Sequence, residues 1–208
     1  MNILITDDHA IVRKGLVQLL REGFADVNVM EATNSVEAIA LCRSHTFDVI
    51  LLDISMPGRN GMETLKQLRT DGIKTPVLML SMHSEDQYAI RALKAGAAGF
   101  VNKEAATEEL LTAVQRAASG KKYITPSVAE KMAAAISDRG ELPSHEILSD
   151  REMQVLQQIA LGKTVSEIAE EISLSVNTIS TYRTRLLDKL KLTNNAELTR
   201  YAIENHLV

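Results

Sequence analysis

The stretch Asp48-Val49-Ile50-Leu51-Leu52-Asp53-Ile54-Ser55-Met56-Pro57-Gly58 sets an unbroken apolar run against an aspartate and then a turn. An apolar run without polar alternation suits a strand covered on both faces, as in parallel sheets. The pattern recurs along the first half of the chain. Asn2–Thr6, Val27–Glu31, Asp48–Leu52, Val77–Ser81 and Gly99–Asn102 read as five short strands. Amphipathic stretches follow each, at about His9–Gly23, Ser35–His45, Gly61–Asp71, Glu85–Ala95 and Glu108–Ser119. Asn34 with Glu37, and Ser84 with Gln87, have capping-box spacing, and Gly72 and Gly96 stand where helix C-caps are expected. Strict β/α alternation predicts a doubly wound, five-stranded parallel sheet with helices on both faces and all strand C-termini along one edge.

That edge collects polar groups. Asp7 and Asp8 end the first strand, Asp53 the third and Ser81 the fourth, and Lys103 follows the fifth. Each has an ordinary reading in isolation: Asp8 a helix cap, Lys103 a surface lysine, Ser81 a loop residue, Met56-Pro57-Gly58 a turn. His9 and His83 read as solvated loop histidines rather than ligands. The joint placement at strand ends is the informative feature. Three neighbouring carboxylates repel one another unless a cation sits among them, and a hard ion such as Mg²⁺ suits an all-oxygen set. A carboxylate beside a metal and an ammonium is suited to accept a phosphoryl group.

With Asp53-Ile54-Ser55-Met56-Pro57-Gly58 and Ala95-Gly96-Ala97-Ala98-Gly99-Phe100-Val101-Asn102-Lys103, the first half closely resembles the receiver domain of response regulators, over roughly Met1 to Lys122. The resemblance implies that Asp53 accepts a phosphoryl group from a sensor histidine kinase. It implies that Asp8, Asp53 and the backbone carbonyl of Ser55 ligate Mg²⁺, with Asp7 acting largely through water, and that Lys103 holds the phosphate. It also implies that Ser81 and Phe100 form the pair that rearranges on phosphorylation, and that Ser55 and His83 tune how long the phosphate survives.

Thr125-Pro126 opens a short helix to about Ser137, and 138–144 has linker composition. From Ser149 onward the reading is all helix. Ser149-x-x-Glu152 and Thr164-x-x-Glu167 are capping boxes, and Asn194-x-x-Glu197 has a similar shape. Helices are expected at Asp150–Leu161, Val165–Ile172, from Ser175 to about Lys191, and Asn195–Asn205. The short turn Ser173-Leu174-Ser175 between the second and third is a helix-turn-helix signature. On the helix after Ser175, Val176, Ile179, Tyr182, Leu186 and Leu190 share one face; Asn177, Thr181, Thr184 and Asp188 lie opposite, flanked by Ser180 and Arg185. Small polar residues suit base edges and thymine methyls, while Arg185, Lys189 and Lys191 suit phosphates, and Arg183 lies nearer the buried face.

Leu148-Ser149-Asp150-Arg151-Glu152-Met153, Ile168-Ala169, Leu174-Ser175-x-x-Thr178-Ile179 and Asp188-Lys189-Leu190 resemble the LuxR-type helix-turn-helix. The whole chain is thus similar to the NarL/FixJ class of response regulator. Expected are a receiver at 1–122, a linker with a short helix at 123–147, and an all-α four-helix DNA-binding domain at 148–208. The implied behaviour is binding to double-stranded DNA as a homodimer when phosphorylated. Asn177, Ser180, Thr181, Arg183, Thr184, Arg185 and Lys189 are the expected contacts. Many members have Lys at the position of Ser180 and His at that of Tyr182, so fewer cations face the groove here.

Composition fits this reading. Hydrophobic residues make up 45% and charged residues 24%, as in a folded protein, and aromatics only 3%, so the core must be aliphatic. The single cysteine, Cys42, excludes an intramolecular disulfide and a thiolate cluster. No apolar run approaches a membrane span and no signal peptide is recognisable, so a cytoplasmic location without membrane insertion is expected. The net charge of −4 is unusual for a DNA binder, and from Leu148 onward seven bases face eight acids. Only Arg183–Lys191 is locally basic. The helical half could therefore instead be a protein-interaction module, and the chain an orphan regulator that acts without phosphorylation. An aspartate-nucleophile phosphatase would carry a second aspartate where this chain has Ser55. No enzyme activity beyond the chain's own phosphorylation and dephosphorylation is expected.

Overall fold

The computed structural model describes residues 1–82, 85–103, 107–137, 144–205 and 207–208. The chain divides into two compact units, Met1–Ser137 and Asp138–Val208. In the first, strands β1 (Asn2–Thr6), β2 (Asn28–Ala32), β3 (Val49–Asp53), β4 (Val77–Ser81) and β5 (Gly99–Asn102) alternate with helices α1 (Ala10–Gly23), α2 (Ser35–Ser44), α3 (Gly61–Thr70), α4 (Glu85–Lys94) and α5 (Thr107–Ala118). All strand pairs are parallel, in the order β2-β1-β3-β4-β5. Helix α6 (Pro126–Ser137) completes this unit.

β3 explains why the sheet must be covered twice: all five of its residues are buried. Side chains alternate across a strand. Ile3, Ile5, Leu51, Leu78, Leu80 and Val101 pack in one core with Leu16, Val17 and Leu20 of α1 and Leu110, Ala113, Val114 and Ala117 of α5. On the alternate positions Leu4, Ile50, Leu52 and Met79 are fully buried, as are Leu65 and Leu68 of α3 and Ala38 of α2. The boundaries of β2 and β3 fall one residue later than the apolar runs suggest, because pairing extends to Ala32 and Asp53. Asp48 lies outside the ladder, and its side chain accepts from the Asn2 N–H at 2.7 Å.

Helix ends follow the expected chemistry. Gly72 and Gly96 adopt left-handed φ values of 78° and 96°, which cost glycine nothing. Asn34 accepts from Glu37 N, but the Glu37 carboxylate reaches back to Thr33 rather than to the cap residue. Ser84, half of an expected capping box, lies outside the described residues. α3 has a full box that the sequence reading did not note, with Asn60 and Glu63 exchanging bonds. Its first residue, Gly61, donates to Ile54 O at 3.0 Å, and a Cβ there would stand 2.1 Å from Asp53 O. Only glycine lets the helix start so close to the end of β3.

The second unit begins with a 3₁₀ turn at Ser144–Ile147, followed by α7 (Asp150–Ala160), α8 (Val165–Glu171), α9 (Val176–Leu190) and α10 (Asn195–Glu204). The Ser149–Glu152 and Thr164–Glu167 capping boxes both form. Leu156, Ile168, Ile179, Leu186, Leu198 and Ala202 are fully buried and join the four helices. α8 and α9 are joined through Ser173, a non-glycine at φ 54°, whose conformation lets Leu174 N reach Ala169 O at 2.9 Å. That hydrogen bond closes α8 as in a Schellman ending.

Gly61→Ala is expected to lower unfolding stability by about 1–3 kcal/mol, the usual cost of overpacking against backbone. Urea denaturation of the variant beside the parent checks this.

Candidate phosphoacceptor pocket and nucleic-acid interface

β1 and β3 are neighbours although β2 lies between them in sequence, so the sheet reverses its winding at their C-terminal ends. Crevices form at such points in open α/β sheets. The register pairs Thr6 with Leu52, so Asp7, next along β1, comes level with Asp53. Lys103 follows β5, and its N–H donates to Ser81 O at 2.8 Å. From there the Lys103 ammonium reaches Asp7 Oδ2 at 2.7 Å and Asp53 Oδ2 at 2.8 Å. Asp7, Asp53, Ser81 and Phe100 are all buried. The strand-end residues Asp7, Asp8, Asp53, Ser81 and Lys103 therefore lie along one sheet edge, and Asp7, Asp8, Asp53 and Lys103 meet in a single pocket.

The electrostatics follow from burial. Loss of solvent pushes the Asp53 carboxyl above its ordinary range, Lys103 pulls it back, and Asp7 adds to the rise. Lys103 is also desolvated, but the Asp53 and Asp7 carboxylates outweigh this and hold its ammonium protonated beyond the usual lysine range. Three carboxylates face one ammonium, a deficit that one divalent cation would close. Asp8 Oδ1 is sealed from solvent and receives no hydrogen bond, although the His9 ring nitrogen is 3.0 Å away. Ligand atoms of Asp7, Asp8, His9 and Asp53 all lie within 4.8 Å of one another. This donor set fits a divalent cation.

Asp8 does not cap α1. His9 is the cap residue, its side chain makes no cap bond, and its N–H donates to Asp7 Oδ1 at 2.8 Å. His9, expected as a solvated loop residue, is exposed but folds back over the carboxylates. Sequence reading also missed Arg13. Its Nη1 donates to Asp7 O at 2.8 Å and its Nε to Glu31 at 2.8 Å, fixing the backbone that carries the aspartates. Its position one turn beyond His9, on the side of α1 facing the strand end, was the available signal. Ser55 is held at the rim, its N–H donating to Asp53 Oδ1 at 3.2 Å. His83 lies outside the described residues.

In the second unit, Asn177, Ser180, Thr181, Thr184, Arg185 and Asp188 of α9 are exposed while Ile179, Leu186 and Leu190 are buried. Val176, expected on the apolar face, is 46% exposed because it is the first residue of the helix and overhangs the core. Thr181 and Thr184 hydroxyls donate to the carbonyls of Asn177 and Ser180 at 2.9 and 3.0 Å. Two expected DNA contacts point elsewhere. Arg183 Nε donates to Asn195 Oδ1 at the start of α10. Lys189 pairs with Glu152 at 2.7 Å, although it was expected to face phosphates. Glu152 is buried, which disfavours its charge, but Lys189 and the Ser149 N–H outweigh this and hold its carboxyl below the ordinary range.

Residues 3–115 match the response regulator receiver domain, and residues 146–202 match the bacterial regulatory proteins of the luxR family. The chain belongs to the two-component response regulators, in the NarL/FixJ class that joins these two modules, and is a phosphorylation-controlled regulator of that kind. It is 35% identical to the response regulator UvrY of Escherichia coli (strain K12) over 208 residues, covering all of this chain and 95% of that protein. It is 32% identical to the response regulator GacA of Pseudomonas aeruginosa, covering all of this chain and 98% of GacA. The solved structure of RcsB from Salmonella enterica serovar Typhimurium bound to promoter rprA with the phosphomimetic BeF₃⁻ aligns with a TM-score of 0.64. That alignment has 29% identity and covers 97% of this chain and 98% of RcsB. Among the described residues, no helix is long and apolar enough to cross a membrane.

Two stability tests follow. A raised folded-state pKa means that Asp53 favours folding fully only below the ordinary carboxylate range, and that this contribution is lost as pH rises through the elevated value. At pH 7 without divalent ions, Asp53→Asn is therefore expected to gain about 1–2 kcal/mol, a size typical of relieving a buried charge. Thermal unfolding in chelator reads this, and Mg²⁺ should raise the parent's midpoint more than the variant's. For Glu152 the sign is opposite: its depressed pKa supplies stability above the ordinary glutamate value, lost as pH falls through the folded-state value. Lys189→Met should cost about 1–2 kcal/mol at pH 7, since the half-exposed lysine is partly screened, and the gap should close on acidification.

Proposed function

We propose that Asp53 is the phosphoacceptor, taking a phosphoryl group from the phosphohistidine of a sensor kinase. The observation that carries this is the Lys103 ammonium lying 2.7 and 2.8 Å from two buried carboxylates at one strand edge. A carboxylate oxygen of Asp53 attacks phosphorus, the histidine N–P bond breaks, and the imidazole leaves with the electron pair. Lys103 stabilises charge on the transferring oxygens. Asp8, Asp53 and the Ser55 carbonyl would hold Mg²⁺, with Asp7 acting through water; bound there, the ion supplies positive charge to the phosphoryl oxygens. Ser81 donates its hydroxyl to the new phosphate, and Phe100 follows Ser81 as the pocket contracts. His83 and Ser55 set how long the acyl phosphate survives.

The phosphorylated state favours a homodimer, because a ligand shifts a two-state balance by its differential affinity for the states. Double-stranded DNA is then bound by two copies of α9, each in a major groove, on half-sites about one helical turn apart. Asn177, Ser180, Thr181 and Thr184 address base edges and Arg185 the phosphates. Arg183 and Lys189, also proposed contacts, are engaged by the Asn195 amide oxygen and the Glu152 carboxylate. The working boundaries are a receiver at 1–122, a linker at 123–147 and a DNA-binding domain at 148–208, in a cytoplasmic regulator whose chemistry is limited to its own phosphate.

With a small acyl phosphate and Mg²⁺, the parent should incorporate one phosphate and Asp53→Asn none; undiminished labelling would sink the acceptor assignment. In fluorescence anisotropy on promoter DNA at fixed salt, Thr181→Ala with Arg185→Ala should weaken binding at least tenfold, as lost groove and phosphate contacts do. Equal binding with and without phosphodonor would favour a regulator that works unphosphorylated.

A further inference from the structure

The cluster at the strand edge contains a nitrogen as well as oxygens. Asp7, Asp8, His9 and Asp53 each offer one ligand atom, all within 4.8 Å of one another. For octahedral binding at about 2.1 Å, cis ligands are about 3 Å apart and trans ligands about 4.2 Å, so the cluster is slightly wider than one coordination sphere and leaves room for Asp7 to act through water. His9 Nδ1 lies 3.0 Å from Asp8 Oδ1 and 3.4 Å from Asp7 Oδ1. Burial does not force the ring there, since the side chain is 63% exposed, and helix capping does not explain it. Lys103 meets Asp7 and Asp53 through their Oδ2 atoms. The imidazole instead meets Asp7 and Asp8 through Oδ1 atoms, so the two basic groups engage different carboxylate oxygens.

Mg²⁺ and Mn²⁺ both suit an all-oxygen site, but a transition ion accepts an imidazole nitrogen more readily than Mg²⁺ does. We infer that His9 is a nitrogen ligand at the mouth of the pocket, which makes this regulator take Mn²⁺ or a similar transition divalent ion more readily than the aspartates alone would. The inference rests on the acidic pocket being a divalent-cation site. It gives the exposed histidine a role in metal choice at this pocket.

Full-length protein loaded with Mn²⁺ tests this by pulsed electron paramagnetic resonance. The parent should show nitrogen-14 modulation from a directly bound imidazole. Excess Mg²⁺ should abolish it by displacement, and His9→Asn should lack it. By calorimetry, the ratio of Mn²⁺ to Mg²⁺ affinity should fall at least about tenfold in His9→Asn, the lower end of what losing even a group that only supports a metal ligand costs. Mn²⁺ bound by the parent without nitrogen modulation would overturn the inference, as would a variant in which both affinities fall by the same factor. A parent that binds neither ion would overturn the reading of the pocket itself. His9→Ala separates loss of nitrogen from any new oxygen ligand brought by asparagine, and should match His9→Asn in the spectrum.

Discussion

The first unit is organised around one ammonium held between two buried carboxylates. Burying Asp7 and Asp53 side by side is unfavourable, because each loses solvation and repels the other. Lys103 offsets part of that cost, and it can do so only if β5 ends level with β3 across the intervening β4. Parallel pairing throughout, the Lys103 bond to Ser81 and the absence of a side chain at Gly61 all serve that alignment. The remaining imbalance, three carboxylates against one ammonium, makes the pocket responsive to cations and to a transferred phosphate. The helices and cores far from this edge hold five strand ends in register.

The second unit solves a different problem, presenting a polar helix face without burying it. Three aliphatic residues of α9 anchor the helix, and Ser173 accepts a left-handed conformation so that α8 and α9 turn sharply. Arg183 and Lys189 brace the helix against α10 and α7. Cations that would otherwise widen the electrostatic footprint thus hold the scaffold, in keeping with the near-neutral charge of this half.

Much of this was legible in the sequence. Short, largely apolar runs located the strands to within one position, and the Ser149–Glu152 and Thr164–Glu167 spacings located two helix starts. The gathering of Asp7, Asp8, Asp53 and Lys103 followed from parallel topology alone. What periodicity could not supply was the direction of long flexible side chains. Lys189 read as a groove-facing cation because its partner, Glu152, is 37 residues away and was assigned to helix capping. Arg13 was missed, and His9 read as a solvated loop residue, for the same reason: their partners lie at a strand end. Val176 read as core because a helical wheel takes no account of where the helix begins.

Thr181 and Thr184 of α9 are exposed with their hydroxyls already engaged. The hydroxyl protons of both are spent on carbonyls one turn earlier, so the oxygens that remain offer lone pairs. Hydroxyls so committed discriminate by what they lack, a proton to donate. In the proposed major-groove binding, such acceptors would suit the amino groups of adenine and cytosine. The grammar of the bound site would then be written partly by the helix backbone, which decides which half of each hydroxyl is left to speak.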